Sequence, residues 1–534
     1  MKNKKLITSL LVCVLTFVSA CEGNINTNAN NVANDNTQTL IEDLGNIYDL
    51  KEDGMYSAST HPLILSIFVH YEDMYTFRDD LISQEITEYT NIIFNSVGSQ
   101  YSNDSEKEFA MLMSQPKLPD IIGGTLYDIS KYGAEEAFIP LQDFINAYAP
   151  NIRAMFEKYP EAKASVTDSE GNIYAIPFVN EVAVSNQWWI RKDWLDELGL
   201  QVPTTIAEFE KVLSAFKTKD PNGNSEADEI PLFQNLGNGV NDIIPLFGVN
   251  PFFHLDEYGK VQIGSYTEEY KEAIKGVSSW FTQGYIHKDI FNSNVGLGFF
   301  DANTGGITFG NALEISKYNY LKEDGSFYVV GIAPPTDING VRWVATNTSV
   351  ADTYGIGISV DNSFPTETIK MLDFLFSKPG STLMTYGILN ETYKISAEGQ
   401  ETYIGDTLNI YDTLKNMGAM IKAVPFILEE NAVLQLMHKE GVDIYNVYKE
   451  NNYENIINSS LKTLCFNEEE LEVILNIYPA CEEYIFNKTM EWTKDSTLID
   501  LEFEEYMQNL SSLGINEVLS AYQSAYNRFR LNVE

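Results

Sequence analysis

The alternation across residues 63–125 limits this chain more than any other feature. Leu63-Ile64-Leu65-Ser66-Ile67-Phe68-Val69 is a β-branched run bounded by Pro62 and the polar His70-Tyr71-Glu72-Asp73. Residues 81–89 have helical spacing, Ile92-Ile93-Phe94 is extended, and residues 105–113 are helical again. Leu118-Pro119-Asp120-Ile121-Ile122 then ends the series before Gly123-Gly124-Thr125. Strand, helix, strand, helix, strand with short links demands a parallel sheet, because parallel neighbours need a crossover helix. Ligands of such sheets sit beyond the carboxyl ends of the strands. The predicted cleft edge therefore holds His70, Tyr71, Asp73 and the 124–127 loop, with Thr125 and Tyr127.

A second diagnostic stretch is GNIYAIPFVNEVAVSNQWWIRKDWLDELGLQVP, residues 171–203. Ile173-Tyr174-Ala175-Ile176 is an apolar run stopped by Pro177, and residues 182–190 form a second extended run rich in β-branched and aromatic side chains. Residues 192–200 switch to a short amphipathic helix with Gly199 near its stop. Thr205 is the N-cap of the next helix, with Glu208 completing a capping box. A strand carrying Trp188 and Trp189, followed by two helices, suits a chain crossing between two lobes.

At 534 residues the chain exceeds a single core, so two or three domains are expected. A formal charge of −41, from 35 basic and 76 acidic residues, argues against nucleic acid, which needs a basic footprint. The N-terminus reads as an address. Lys2, Lys4 and Lys5 precede an apolar run over residues 6–17 that is too short to span a bilayer, and Val18-Ser19-Ala20-Cys21 follows. This ending resembles the lipobox of bacterial lipoproteins, which implies removal of residues 1–20, a lipidated Cys21 and attachment to the extracytoplasmic face of the cell membrane. Residues 21–40 are asparagine-rich and read as a solvated tether. Cys465 and Cys481 remain as either a disulfide or buried free thiols.

LPDII with its glycines, AFIPLQDFINAYAPNI (137–152), SEGNIYAIP (169–177) and WIRKDWLDELGLQVPTTIAEF (189–209) together resemble the extracellular solute-binding proteins of ABC importers. Within that family they are most similar to the large oligosaccharide-delivering lipoproteins, including the alginate-binding proteins. The resemblance implies a two-lobed periplasmic-binding-protein-like α/β fold of type II, each lobe a sheet with flanking helices and each discontinuous in sequence. It assigns residues 41–180 and 355–400 to the N-terminal lobe, and 181–354 and 401–534 to the C-terminal lobe. The implied partners are an oligosaccharide, ABC transporter permease subunits and the membrane through a lipid anchor, with no nucleic acid and no catalysis. Asn339-Gly340-Val341-Arg342-Trp343 resembles the family's loop leading back to the first lobe, which nominates Trp343 and, more weakly, Trp188 as sugar platforms, with Arg342 fixing orientation. The alternative is a secreted glycan-active enzyme, although no Gly-x-Ser-x-Gly, His-Glu-x-x-His or P-loop sequence is present.

DPNGNSEADEIP (220–231) is the sharpest chemical signal. Asp220, Asn222 and Asn224 alternate as the first half of a calcium loop does, and hard oxygen donors suit Ca²⁺. Ser225 replaces the sixth-position glycine and Pro231 stands where the bidentate glutamate belongs, so Asp228 and Glu229 are left to close the shell. The alginate-binding relatives have a calcium site in a very similar segment. That implies a structural Ca²⁺ held by Asp220, Asn222, Asn224, the Glu226 carbonyl, Asp228 and Glu229.

Overall fold

The computed structural model describes residues 57–71, 75–77, 80–98, 104–182, 186–234, 238–292, 296–321, 327–343, 349–405, 407–422, 424–450 and 461–533. The leader, Cys21, the tether and Asp73 lie outside the described residues.

Ten strands build two sheets: β1 (Leu63–Phe68), β2 (Ile92–Val97), β3 (Ile121–Thr125), β4 (Ala175–Asn180), β5 (Asn186–Arg191), β6 (Ile230–Gln234), β7 (Gly305–Asn311), β8 (Val329–Ile332), β9 (Ala351–Ile358) and β10 (Ile427–Leu428). The first sheet has the order β10-β4-β9-β3-β1-β2, and the second β8-β5-β7-β6. The expected parallel core is present: β1 pairs in parallel with both β2 and β3. Its crossovers are α1 (Leu81–Thr90) and α2 (Ser105–Met113). Asp80 and Asp104 cap these helices by accepting the backbone N–H three residues on. β9 is antiparallel to both β3 and β4, so the return strand begins at the edge where its neighbours end.

Two local expectations change for steric reasons. Gly123 and Gly124 lie inside β3, not in a loop after it. A Cβ at Gly124 would stand 2.6 Å from the Phe109 ring, so this glycine is what lets α2 pack onto the sheet. Pro177 does not stop its strand either. It pairs with Gly355 beside a register shift in β9, the kind of irregular position where a strand takes a proline.

The second sheet carries a tryptophan on each face. Trp189 joins a buried cluster with Phe233, Phe327 and Val329, whereas Trp188 joins another with Phe209, Phe309 and Trp280. The lobes divide differently from the expectation for residues 401–534. Ile410, Leu414, Phe426 and Leu428 are buried with the first sheet, and β10 pairs with β4. A run of mostly polar helix with a few apolar side chains does not tell which neighbour it will cover. The helices α3 (Leu126–Ala134), α4 (Ile206–Thr218), α5 (Glu269–Thr282), α6 (Glu468–Lys494), α7 (Ile499–Leu513) and α8 (Ile515–Val533) complete the elements used below. Trp492, Phe503, Tyr506 and Val518 of α6–α8 share the second cluster with α5. Cys465 and Cys481 are free, buried thiols.

Candidate functional site

The chain leaves the first sheet after β4, returns to it between β8 and β9 and leaves it again after β10, and these connections mark one edge of each sheet. On the first lobe that edge carries the ends of β1, β3 and β4 and the start of β9. On the second, register places Asn186 beside Asn311, Trp188 beside Ile332, and Gln234 beside Phe309, so β5 starts where β6, β7 and β8 end.

The first edge is largely committed to its own structure. His70 is buried with Nδ1 2.6 Å from Ser105 Oγ, and its carbonyl accepts from the Tyr354 hydroxyl at 2.6 Å. Thr125 caps α3: its hydroxyl accepts from the Asp128 N–H (3.0 Å) and donates to Asp128 Oδ2 (2.6 Å). The Tyr127 hydroxyl is buried without a hydrogen-bond partner, and burial pushes its phenol up. Tyr71 has its backbone in a short hairpin strand, and its side chain lies outside the described set.

The second edge separates the two nominated tryptophans. Trp188 is 3% exposed, with its ring against Phe209 and Phe309 at centroid distances of 5.5 and 5.3 Å. Both neighbours are core residues, so Trp188 is not a platform; a strand buried on two faces gives its aromatic residues to packing. Trp343 is different. Five of the six tryptophans are buried, and Trp343 alone remains partly exposed. Its Nε1–H donates to Asp337 Oδ2 at 2.8 Å. Arg342 donates from Nη1 to the Pro334 carbonyl, which ties the loop to itself.

Three further side chains escape a reading by motif. Gln187 is fully buried at the start of β5, and both its amide atoms lack a hydrogen-bond partner. Gln234, at the matching end of β6, has an unpartnered Nε2. An orphaned buried amide costs about 1–3 kcal/mol, so such groups at a cleft edge suit a ligand or solvent contact. The only signal in the sequence is a glutamine inside an apolar strand. Asp242, in the segment after β6, is the third. Enclosure pushes its carboxyl up to about 6, partly offset by the Asn238 amide at 3.2 Å from both oxygens.

The 220–229 loop precedes β6 and is held by hydrogen bonds among its own residues. Asp220 accepts from the N–H groups of Asn224 (3.1 Å) and Ser225 (2.9 Å), and the Asn224 amide reaches Asp228 at 3.0 and 3.2 Å. Asn222 donates to Asp228 Oδ1 at 3.1 Å. Ser225 adopts φ +64°, the left-handed conformation that a glycine would take at that position. Glu229 is 3% exposed with Oε1 unpartnered, and burial, with Asp228 and Asp220 nearby, raises its pKa. The Glu226 side chain is exposed. No group of three or more His, Cys, Asp or Glu side chains is poised around one point among the described residues. The Asn222 and Asn224 Oδ1 atoms accept from the N–H groups of Asn224 (3.1 Å) and Glu226 (2.7 Å), so the Glu229 oxygen is the buried side-chain donor of the expected set left without a hydrogen-bond partner among the described residues.

No family model matches the chain. The fructooligosaccharide ABC transporter substrate-binding protein FusA of Streptococcus pneumoniae is 26% identical over 506 residues, 85% of this chain and 88% of FusA. Lipoprotein LipO of Bacillus subtilis is 37% identical over 105 residues, covering 19% of this chain and 21% of LipO. Among solved structures, the alginate-binding protein AlgQ2 without calcium ion superposes with a TM-score of 0.78 at 28% identity, covering 88% of this chain and 99% of that one. An EF-hand mutant of FusA in complex with fructo-nystose gives 0.72 at 23% identity, covering 88% and 100%. Two discontinuous lobes, three passages between them and a near end-to-end match lead to one conclusion: in sequence and fold the chain is similar to the oligosaccharide-binding extracellular solute-binding proteins of ABC importers.

Proposed function

We propose that this protein is held by a lipid at Cys21 on the extracytoplasmic face of the cell membrane. There it captures an oligosaccharide between its lobes and delivers it to the permease subunits of an ABC transporter. The observation that carries this reading is the match along 85% of the chain to FusA, whose name gives fructooligosaccharide as its cargo. The same relatives, which are named as binding proteins, support a binding role in place of an enzymatic one.

A ligand that touches both edges favours the closed arrangement by its differential affinity for that state. Trp343 is the platform, because a flat apolar ring complements the C–H face of a sugar. Gln187 and Asp242 supply hydrogen-bonding groups from the second lobe. Thr125 and Tyr127 supply polar groups from the first, Tyr71 and Asp73 are further candidates by sequence, and Arg342 supports the platform loop. Calcium is a structural ion in this account. Asp220, Asn222, Asn224, Asp228, Glu229 and the Glu226 carbonyl would hold it, as expected for a loop that braces the start of β6. Isothermal titration against a panel of neutral and acidic oligosaccharides, followed by mass spectrometry of the recovered sugar, tests the reading. Saturable binding with the sugar returned intact is expected. A shortened sugar would instead identify a glycan-active enzyme.

A further inference from the structure

We propose that Asp337 is the positioning residue of the sugar platform: its buried carboxylate fixes the plane of the Trp343 indole before a ligand arrives. This rests on the reading of Trp343 as the platform.

Asp337 is 4% exposed. Its Oδ1 accepts from the N–H groups of Asn339 (2.7 Å) and Val341 (2.8 Å), and its N–H donates to the Val341 carbonyl at 2.7 Å. Gly340 follows at φ +80°, which lets the chain turn back within four residues. The turn is fastened to the start of α4, since the Thr336 N–H donates to the Thr204 carbonyl (2.9 Å) and the Ile206 N–H to the Thr336 carbonyl (2.8 Å). One carboxylate oxygen is sufficient for this turn. The second, Oδ2, is given to the indole N–H of Trp343, which the turn does not require.

That second bond has a directional consequence. An indole held by its polar edge through a charge-assisted hydrogen bond keeps its faces available. The Trp343 ring has no aromatic or cationic neighbour among the described residues, so no stacking partner covers those faces. A ring fixed in advance avoids the ordering cost that a mobile side chain would add on binding. Asparagine at position 337 would offer a single acceptor oxygen, leaving the turn and the indole to compete for it.

The test uses the full chain labelled with ¹⁵N in its indoles, which gives one N–H signal per tryptophan; Trp343→Phe assigns the signal of interest. In Asp337→Asn the Trp343 signal should shift upfield and exchange faster with water, while the other five stay in place. Kestose and an alginate tetramer are then titrated, and the one that binds the wild type is followed. Asp337→Asn should weaken it about 2- to 10-fold, the scale of re-ordering one side chain, yet cost nothing further in the Trp343→Phe background. An unmoved indole signal, or an equal loss in both backgrounds, would show that Asp337 merely shapes the turn. If Asp337→Asn does not fold, the wild type decides: a Trp343 N–H exchanging as fast as free indole overturns the lock. Should the signal behave as expected while Trp343→Ala binds sugar normally, the lock stands and the platform reading fails.

Discussion

At the scale of the residue, Trp188 and Trp343 show how much surroundings decide over side-chain type. Both are candidates for their rings, and the fold buries Trp188 while leaving Trp343 partly exposed. Removing a buried indole leaves a cavity, so Trp188→Ala should destabilise the free protein by about 3–5 kcal/mol. Trp343→Ala should leave melting nearly unchanged and weaken sugar binding by roughly 1–3 kcal/mol. Thermal melting and calorimetric titration of the pair check this directly, and reversed effects would exchange their roles. Asp242 makes a prediction of different sign from most carboxylates. Its folded pKa is raised to about 6 by enclosure, so its contribution to stability is fully present below the unfolded value and lost as pH rises through 6. Compared with Asp242→Asn, the wild type should therefore lose stability between pH 4 and 7, by on the order of 3 kcal/mol at most. Denaturant titrations of both proteins across that range would show it; a constant difference would mean that the carboxyl is solvated. Gln187 illustrates what remained hidden. Its side chain type was visible, but its lack of partners is a property of the assembled sheet.

At the scale of the element, the first five segments were legible because period-2 and period-3.6 patterns alternate with clear stops. Thr205 was legible as a cap, and its hydroxyl does accept from the Glu208 N–H, at 3.3 Å. The Glu208 carboxylate, however, returns to the Thr204 N–H at 2.8 Å and not to Thr205. Pro177 and Gly124 were misread for one reason: a residue that breaks an isolated strand can be the residue that a crowded sheet needs. The 220–229 segment was legible as a turn rich in oxygen donors, and Ser225 takes the left-handed conformation that a glycine would supply at that position. A chelator should lower the melting temperature of metal-loaded protein, and Asp220→Ala should abolish that sensitivity. Melting unaffected by the chelator, with no ion copurifying, would reduce the segment to an ordinary turn.

At the scale of the molecule, the order of motifs was enough to anticipate two discontinuous lobes, because parallel sheets and their return strands permit few connections. The allocation of residues 401–436 was not legible, since short helices reveal an apolar stripe without revealing what it covers. Anchoring belongs to this scale too. Two acyl chains at Cys21, as proposed, would exceed what stable attachment requires, so Cys21→Ser should release the protein or leave it unprocessed, as read by membrane fractionation. A variant still lipid-labelled and membrane-bound would contradict the anchor. The central claim is that an oligosaccharide draws the lobes together. Small-angle scattering of the full chain, with and without the sugar that binds in calorimetry, tests it most directly. The radius of gyration should fall on saturation, in step with the calorimetric isotherm, with the sugar recovered whole. An unchanged radius at saturation, or a cleaved sugar, would contradict the account.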